Sequence, residues 1–316
     1  MYVECWSGLA SRIITLSEAY YLQKKWGKRQ LKIVWPVAED CRISFYDVFD
    51  EHIFEDISWR LVEYEPKRGR EVCLKEKYEK QKGVKVCFYE KRYFDALYSL
   101  GLLGCIRMRD LFDFSIKHRY QRKKMYFDTT EMYGEQGTFG SMAYLTWERI
   151  KEQLVMGNDD IYIRAFKNIV YNEKLECNYS NVKFKQDYYD RVDEILGDRK
   201  NLVGVQIRRT DHVGSIKHSL TAHFEKKIDG LIKANPQIKF FLATDDKNEE
   251  RHFIKKYGDK ILVQKDKIWD RSSKEGMQAA VVDFICLASC EYILGSYNST
   301  FGEMAAKYGN IEEIIV

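Results

Sequence analysis

LVGVQI (202–207), AHFEKKIDGLIKAN (222–235) and KFFLAT (239–244) follow one another, and their reading decides the fold. The first and third are apolar runs of strand length. The middle one sets Phe224, Ile228 and Leu231 at helical spacing. Strand, helix and strand in that order make a parallel β-α-β unit. The alternation continues downstream. KNEERHFIKKYG reads as a helix ending on Gly258, and KILVQ (260–264) as a third strand. KEGMQAAVVDFICLASC (274–290) is a long helix, apolar around most of its girth. EYILGS (291–296) is a fourth strand. STFGEMAAKYG (299–309) is a short helix with Gly309 at its end, and IEEIIV (311–316) a fifth strand. The spacing predicts a doubly wound parallel sheet.

The N-terminus begins similarly. YVECW is a strand, SGLASR a turn, and RIITLSEAYYLQKKWG (12–27) an amphipathic helix with a stripe through Ile13, Leu16, Tyr20 and Trp26, capped by Gly27. LKIVWP follows as a strand stopped by Pro36. Further on, VKVCFY (84–89) reads as a strand, SMAYLTWERIKEQLV (141–155) as a helix, and QDYYDRVDEILG (186–197) as a linker helix. The charge runs KYEKQKGVK (77–85) and KHRYQRKKM (117–125) read as solvated faces, or as a basic rim for an anionic acceptor. The expected division is 1–185 and 186–316.

Composition narrows the function. The 316 residues fit two domains. Hydrophobic residues at 45% and charged residues at 32% allow a full core. The net charge of +4 excludes nucleic-acid binding by bulk charge. The 22 tyrosines suit either a Tyr-rich core or stacking surfaces. The eight cysteines form no CxxC or zinc-like cluster, and Cys87 and Cys286 sit in apolar runs like reduced, buried thiols. The opening MYVECWSGLASR lacks a signal-like apolar region, and no apolar run reaches membrane-spanning length. The expected compartment is the cytoplasm, with at most peripheral membrane contact. The N-x-S/T matches at Asn178 and Asn298 are then chance.

Four features carry candidate chemistry. Gln206-Ile207-Arg208-Arg209-Thr210-Asp211-His212 follows the strand 202–207, where ligands of open α/β sheets bind. Arginine offers a donor fork suited to phosphate oxygens, although a surface ion-pair cluster would read the same. Gly295-Ser296-Tyr297-Asn298-Ser299-Thr300-Phe301-Gly302 joins a strand to a helix; its N-terminal N–H groups suit an anion, and Ser299 also suits ordinary capping. Asp283 is a single acid in the apolar run AAVVDFICLA and needs a partner, either a guanine edge or an internal donor. Thr244-Asp245-Asp246 ends the strand 239–244 and can cap the next helix or contact a donor.

Together these stretches resemble the α1,6-fucosyltransferases, including the core-glycan and rhizobial nodulation enzymes. VGVQIRRTDHVGS resembles their H-x-R-R-x-D motif, FLATDD their second motif, and VVDFICLASCEYILGSYNSTFGEMA their third, with Asp283 and Ser299 keeping its interval. GLASRIITLSEAYYLQKKWG resembles the G-L-G-N-R stretch that opens many bacterial members. The resemblance implies a GT-B fold, in which two Rossmann-like, doubly wound α/β domains face a cleft. It implies inverting transfer of fucose from GDP-fucose, as co-substrate, to a glycan or lipid-linked saccharide hydroxyl, without an essential metal. On that pattern Arg208 grips the β-phosphate, and Arg209 supports it or the fold. Asp283 reads guanine; Asp245, Asp246, Ser299 and Thr300, with Gly8 and Arg12 of the opening stretch, complete donor binding. The C-terminal domain holds the donor and the N-terminal one faces the acceptor.

The chain departs from the pattern in three places. Gln206 replaces the motif His and cannot take a proton, and Ser11 replaces the usual Asn. Val213-Gly214-Ser215-Ile216 stands where core-type enzymes carry a Glu. Asp211 and His212 are the local candidates for general base. Another nucleotide sugar, or a non-catalytic nucleotide-sugar-binding or glycan-binding role, is the competing reading.

Overall fold

The computed structural model describes residues 1–38, 40–67, 70–72, 125–133, 140, 142–158, 160–171, 179–210 and 212–316. The expected strand 84–89, the run 77–85 and all but the last residue of 117–125 lie outside these residues, as do Cys73, Cys87, Cys105, Cys177, Asn178 and Asp211.

The chain divides into two compact units. One is Met1–Tyr46 with His52–Cys177; the other is Asp47–Glu51 with Asn178–Val316. The second unit thus takes in a short early segment, and it parts from the first ahead of the linker helix.

The first unit is built on β1 (Tyr2–Cys5), β2 (Leu31–Pro36), β3 (Trp59–Lys67), β4 (Arg70–Val72), β5 (Tyr126–Asp128) and β6 (Tyr162–Ala165). They lie in the order β4-β3-β2-β1-β6-β5, all parallel except β4 against β3. Helix α1 (Leu9–Trp26) connects β1 to β2, α2 (Phe45–Val48) is a single turn, and α3 (Ala143–Val155) precedes β6. Helix α1 starts at Leu9, one turn before the expected Arg12, and is not amphipathic in the expected way. Its first three turns are buried almost all round, polar residues included. Those residues find partners internally. Thr15 Oγ1 donates to the Ser11 and Lys167 carbonyls, and Ser17 Oγ to the Ile13 carbonyl. Glu18 accepts from the Ile169 and Val170 amides and from Asn168.

The second unit holds α4 (Gln186–Leu196), β7 (Leu202–Ile207), α5 (Val213–His218), α6 (Thr221–Ala234), β8 (Lys239–Thr244), α7 (Lys247–Tyr257), β9 (Ile261–Leu262), α8 (Lys274–Ala288), β10 (Tyr292–Gly295), α9 (Thr300–Gly309) and β11 (Glu312–Ile315). The strand order is β11-β10-β7-β8-β9, wholly parallel. Counted along this unit the order is 5-4-1-2-3, the doubly wound arrangement, and its direction reverses between β7 and β10. Ligands of such sheets bind at that reversal, beyond the carboxyl ends of the strands. Val203, Val205 and Ile207 of β7 pack with Phe240 and Leu242 of β8, and with Phe224 and Ile228 of α6, in a buried core. The expected elements form, except that the strand 260–264 shortens to Ile261–Leu262. Gln264 leaves the sheet there to hydrogen-bond α8.

Candidate functional site

Two loops meet at the β7/β10 reversal. The first follows β7. Arg208 N donates to Ser296 Oγ at 3.0 Å, and Ser296 Oγ donates to the Gln206 carbonyl at 3.1 Å. The buried Gln206 side chain accepts from the Ser296 amide at 3.4 Å. Gln206 therefore acts as a strap across the switch point. It ties the two loops by hydrogen bonds and needs no titratable ring for that task.

The two arginines part company. Arg208 is held through Nε by Asp245 Oδ2 at 3.3 Å. Asp245 also accepts from the Arg209 amide at 2.7 Å and from Thr210 Oγ1 at 2.7 Å, so one carboxylate clasps the whole loop. Arg209 turns to the fold. Its Nε and Nη2 pair with Glu249 at 3.2 and 3.0 Å, Nη1 donates to the Arg208 carbonyl, and Nη2 also reaches Thr221 Oγ1. Its place is behind the loop, where it props up Arg208.

His212 is engaged through one ring nitrogen. Its Nδ1 accepts from the Ser215 amide at 3.0 Å and caps α5. Ser215 Oγ bridges His212 Nδ1 and the Tyr297 carbonyl, which fastens α5 to the second loop. Asp211, the other candidate base, lies outside the described residues.

The second loop leads from β10 into α9. Ser299 is the N-cap residue, yet its side chain makes no capping hydrogen bond. Ordinary capping is therefore not its role. Thr300 opens the helix, and the amides of this first turn have no helical partner of their own. Asp246, by contrast, is a helix cap: its Oδ1 accepts from the Asn248 amide at 2.6 Å and from the Glu249 amide at 3.3 Å.

Asp283 is buried on α8, and its partners are internal. Oδ2 pairs with Lys267 Nζ at 2.5 Å, and Oδ1 accepts from Gln264 Nε2 at 3.1 Å. Lys267 Nζ also donates to the Thr244 carbonyl at 2.9 Å and lies 4.6 Å from the centre of the Trp269 ring. Neither Lys267 nor Gln264 stands in any motif, and only the isolated acid on α8 hinted that a cation would be near. Glu250, in the first turn of α7, is held above the ordinary carboxylate range by burial, against the pull of the neighbouring Lys267 and with Asp283 adding to the rise.

In the first unit, Gly8 and Arg12 stand at that sheet's own reversal, between β1 and β6. Gly8 begins α1 in extended conformation, and the left-handed backbone falls on Ser7 instead, at φ 74°. Arg12 is wholly buried. Nε donates to the Ser7 carbonyl, Nη1 to the Pro36 carbonyl, both at 2.7 Å, and the guanidinium lies over the Trp35 ring. This packing uses two of its three nitrogens; Nη2 finds no acceptor among the described residues.

The described cysteines Cys5, Cys41, Cys286 and Cys290 are buried. Burial pushes the Cys5 and Cys290 thiols up to about 12, so they stay protonated at neutral pH. Among the described residues no helix is long and apolar enough to cross a membrane, and no three His, Cys, Asp or Glu side chains are grouped to hold a metal ion.

No protein-family model matches the chain, and no curated protein matches it in sequence. Solved structures do. The NodZ α-1,6-fucosyltransferase soaked with GDP-fucose superposes with a TM-score of 0.52 at 16% identity, over 97% of this chain and 92% of that one. Arabidopsis thaliana FUT1 in complex with GDP superposes with a TM-score of 0.53 at 14% identity, over 99% of this chain and 69% of that one. At this identity the likeness is one of fold. The chain has the α/β fold of the GT-B fucosyltransferases, with a Rossmann-like parallel sheet in each unit.

Proposed function

We propose that the protein is an inverting glycosyltransferase that moves fucose from GDP-fucose to a glycan or lipid-linked saccharide hydroxyl. The observation that carries this reading is the placement of Arg208. It sits at the carboxyl end of β7, at the sheet reversal, oriented through Nε by Asp245 and through its amide by Ser296. A guanidinium there can donate two hydrogen bonds to a diphosphate. The first turn of α9, with Ser299 free of capping duty, adds unsatisfied amides on the same side. As the sugar–phosphate bond breaks, negative charge grows on the departing GDP, and fixed donors aimed at that charge lower the barrier. The acceptor hydroxyl attacks from the opposite face. Asp211 is the base assigned to its proton, since the Nδ1 of His212 is engaged.

The second unit is the donor side and the first the acceptor side in this proposal, with building of a surface polysaccharide in the cytoplasm as the setting. The similar solved structures carry GDP or GDP-fucose, which supports a guanine nucleotide. A thermal-shift panel of GDP, UDP, ADP and CMP tests the donor, because a ligand of the native state raises its melting temperature by mass action. GDP alone should shift it by several degrees. A shift with UDP and none with GDP would move the assignment to another nucleotide sugar.

A further inference from the structure

A buried ion pair is a poor stabiliser, because desolvating two charges offsets most of their attraction. The Lys267–Asp283 pair is therefore worth a functional question. Both side chains are under a tenth exposed, at 9% and 7%. The pair lies beside the donor loop: Lys267 binds the carbonyl of Thr244, and the next residue, Asp245, orients Arg208. A phosphate-facing guanidinium and the ion pair thus rest on consecutive residues at the end of β8.

The remaining hydrogen-bonding capacity of the pair is specific. Each carboxylate oxygen of Asp283 accepts one internal bond and has room for a second. The ammonium has three N–H donors. One goes to Asp283, one to the Thr244 carbonyl, and the third faces the half-buried Trp269 ring. A ring-face contact is the weakest of the three, and a carbonyl oxygen can replace it. The pair so presents an acceptor and a donor side by side. The matching ligand edge carries a carbonyl next to an N–H, as guanine does at O6 and N1. Adenine presents the reverse, an amino group next to a bare ring nitrogen.

Resting on the GDP-sugar reading above, we propose that Lys267 is a specificity-determining residue of the nucleotide site. Its ammonium donates to the O6 carbonyl of guanine while Asp283 accepts from N1–H and the 2-amino group. The aspartate alone would read only the donors of the base, and the lysine adds the reading of its carbonyl.

The test measures dissociation constants calorimetrically for the full chain and for Lys267→Met and Lys267→Gln. The ligands are GDP, ADP and 2-aminopurine riboside diphosphate, which keeps the 2-amino group and lacks both O6 and N1–H. In Lys267→Met, GDP binding should weaken on the order of tenfold to a hundredfold, the scale of one hydrogen bond to a charged group. Binding of the 2-aminopurine nucleotide should change less than about threefold, within the scatter of an untouched contact. Lys267→Gln keeps an N–H donor and should keep most of the preference for GDP over ADP. Should Lys267→Met fail to fold, Lys267→Met/Asp283→Asn removes the unpaired buried charge and should bind GDP on the order of tenfold more weakly than Asp283→Asn alone. Equal weakening of both nucleotides, unchanged GDP affinity, or tighter GDP binding in Lys267→Met would each overturn the assignment. Wild-type protein that binds UDP and not GDP would overturn the donor reading itself, an outcome visible before any variant is made.

Discussion

At the scale of single residues, the division of labour between two adjacent arginines makes the sharpest prediction. Arg208→Lys keeps a charge and loses the fork. Its donor turnover should fall on the order of 10²–10³, the scale for removing one donor from a developing anion, with circular dichroism unchanged. Arg209→Ala should act on stability instead, since its guanidinium serves Glu249, Thr221 and the Arg208 carbonyl. Chemical denaturation should show a loss of about 1.5–3 kcal/mol, the range for hydrogen bonds to a charged group. Near-wild-type turnover in Arg208→Lys would make the loop structural. Glu250 offers a pH-dependent counterpart. Burial raises its folded-state pKa above the unfolded value, so the folded protein binds the proton more readily. The ionised carboxylate therefore lowers stability once pH exceeds the folded value, and this cost vanishes below the unfolded one. Glu250→Gln should raise the melting temperature at pH 8, with the gain fading as pH falls through the folded pKa to below the ordinary glutamate range. A gain independent of pH would refute the burial argument. The pair of arginines was legible in the sequence, and their separate roles were not. Those roles depend on Asp245 and Glu249, which β8 and α7 bring in from distant sequence. Lys267 was illegible for the same reason, being an unremarked lysine in a loop until α8 places Asp283 against it.

At the scale of elements, two helix starts that read alike in sequence behave differently. Asp246 caps α7 with two hydrogen bonds, while Ser299 stands at the start of α9 and caps nothing. Asp246→Ala should cost about 0.5–2 kcal/mol of unfolding free energy, the usual worth of an N-cap. Ser299→Ala should cost less than about 0.5 kcal/mol, as for substitutions that break no such feature, while weakening nucleotide binding. A cap-sized stability loss in Ser299→Ala would show that the hydroxyl serves the fold. The strands and helices of the second unit were legible because their apolar spacing agrees with their burial. Helix α1 was misread for a physical reason. Its serine, threonine and glutamate are buried, with their hydrogen bonds satisfied within the first unit, so a polar letter did not mean a wet face. Gly309 ends α9 as the sequence suggested. It is the last helical residue, and the cap beyond it is Asn310, in the left-handed conformation at φ 53°. A side chain at 309 would overlap the Ala288 carbonyl at the end of α8, so this glycine serves close helix packing.

At the scale of the molecule, the reversal of strand order between β7 and β10 gathers residues from all four sequence signals at one end of one sheet. In the proposed mechanism charge on the leaving diphosphate is met there by Arg208 and by helix amides, so donor turnover should survive EDTA. Full loss with chelator, restored by Mn²⁺ or Mg²⁺, would contradict the proposed mechanism. The composition of the second unit carries a consequence for how the chain is made. Its segment Asp47–Glu51 is translated long before the rest of it. The Asp47 carbonyl waits for the Tyr188 hydroxyl, 141 residues later, and Phe49 for its partner Phe184. At about 5–20 residues per second, that delay is roughly 7–28 s on the ribosome. Through that time the nascent chain carries a phenylalanine whose ring partner Phe184 has not been synthesised. A translation product arrested before Asn178 lacks both the ring and the hydroxyl that meet this segment in the folded protein, so the order of synthesis and the order of assembly run in opposite directions here.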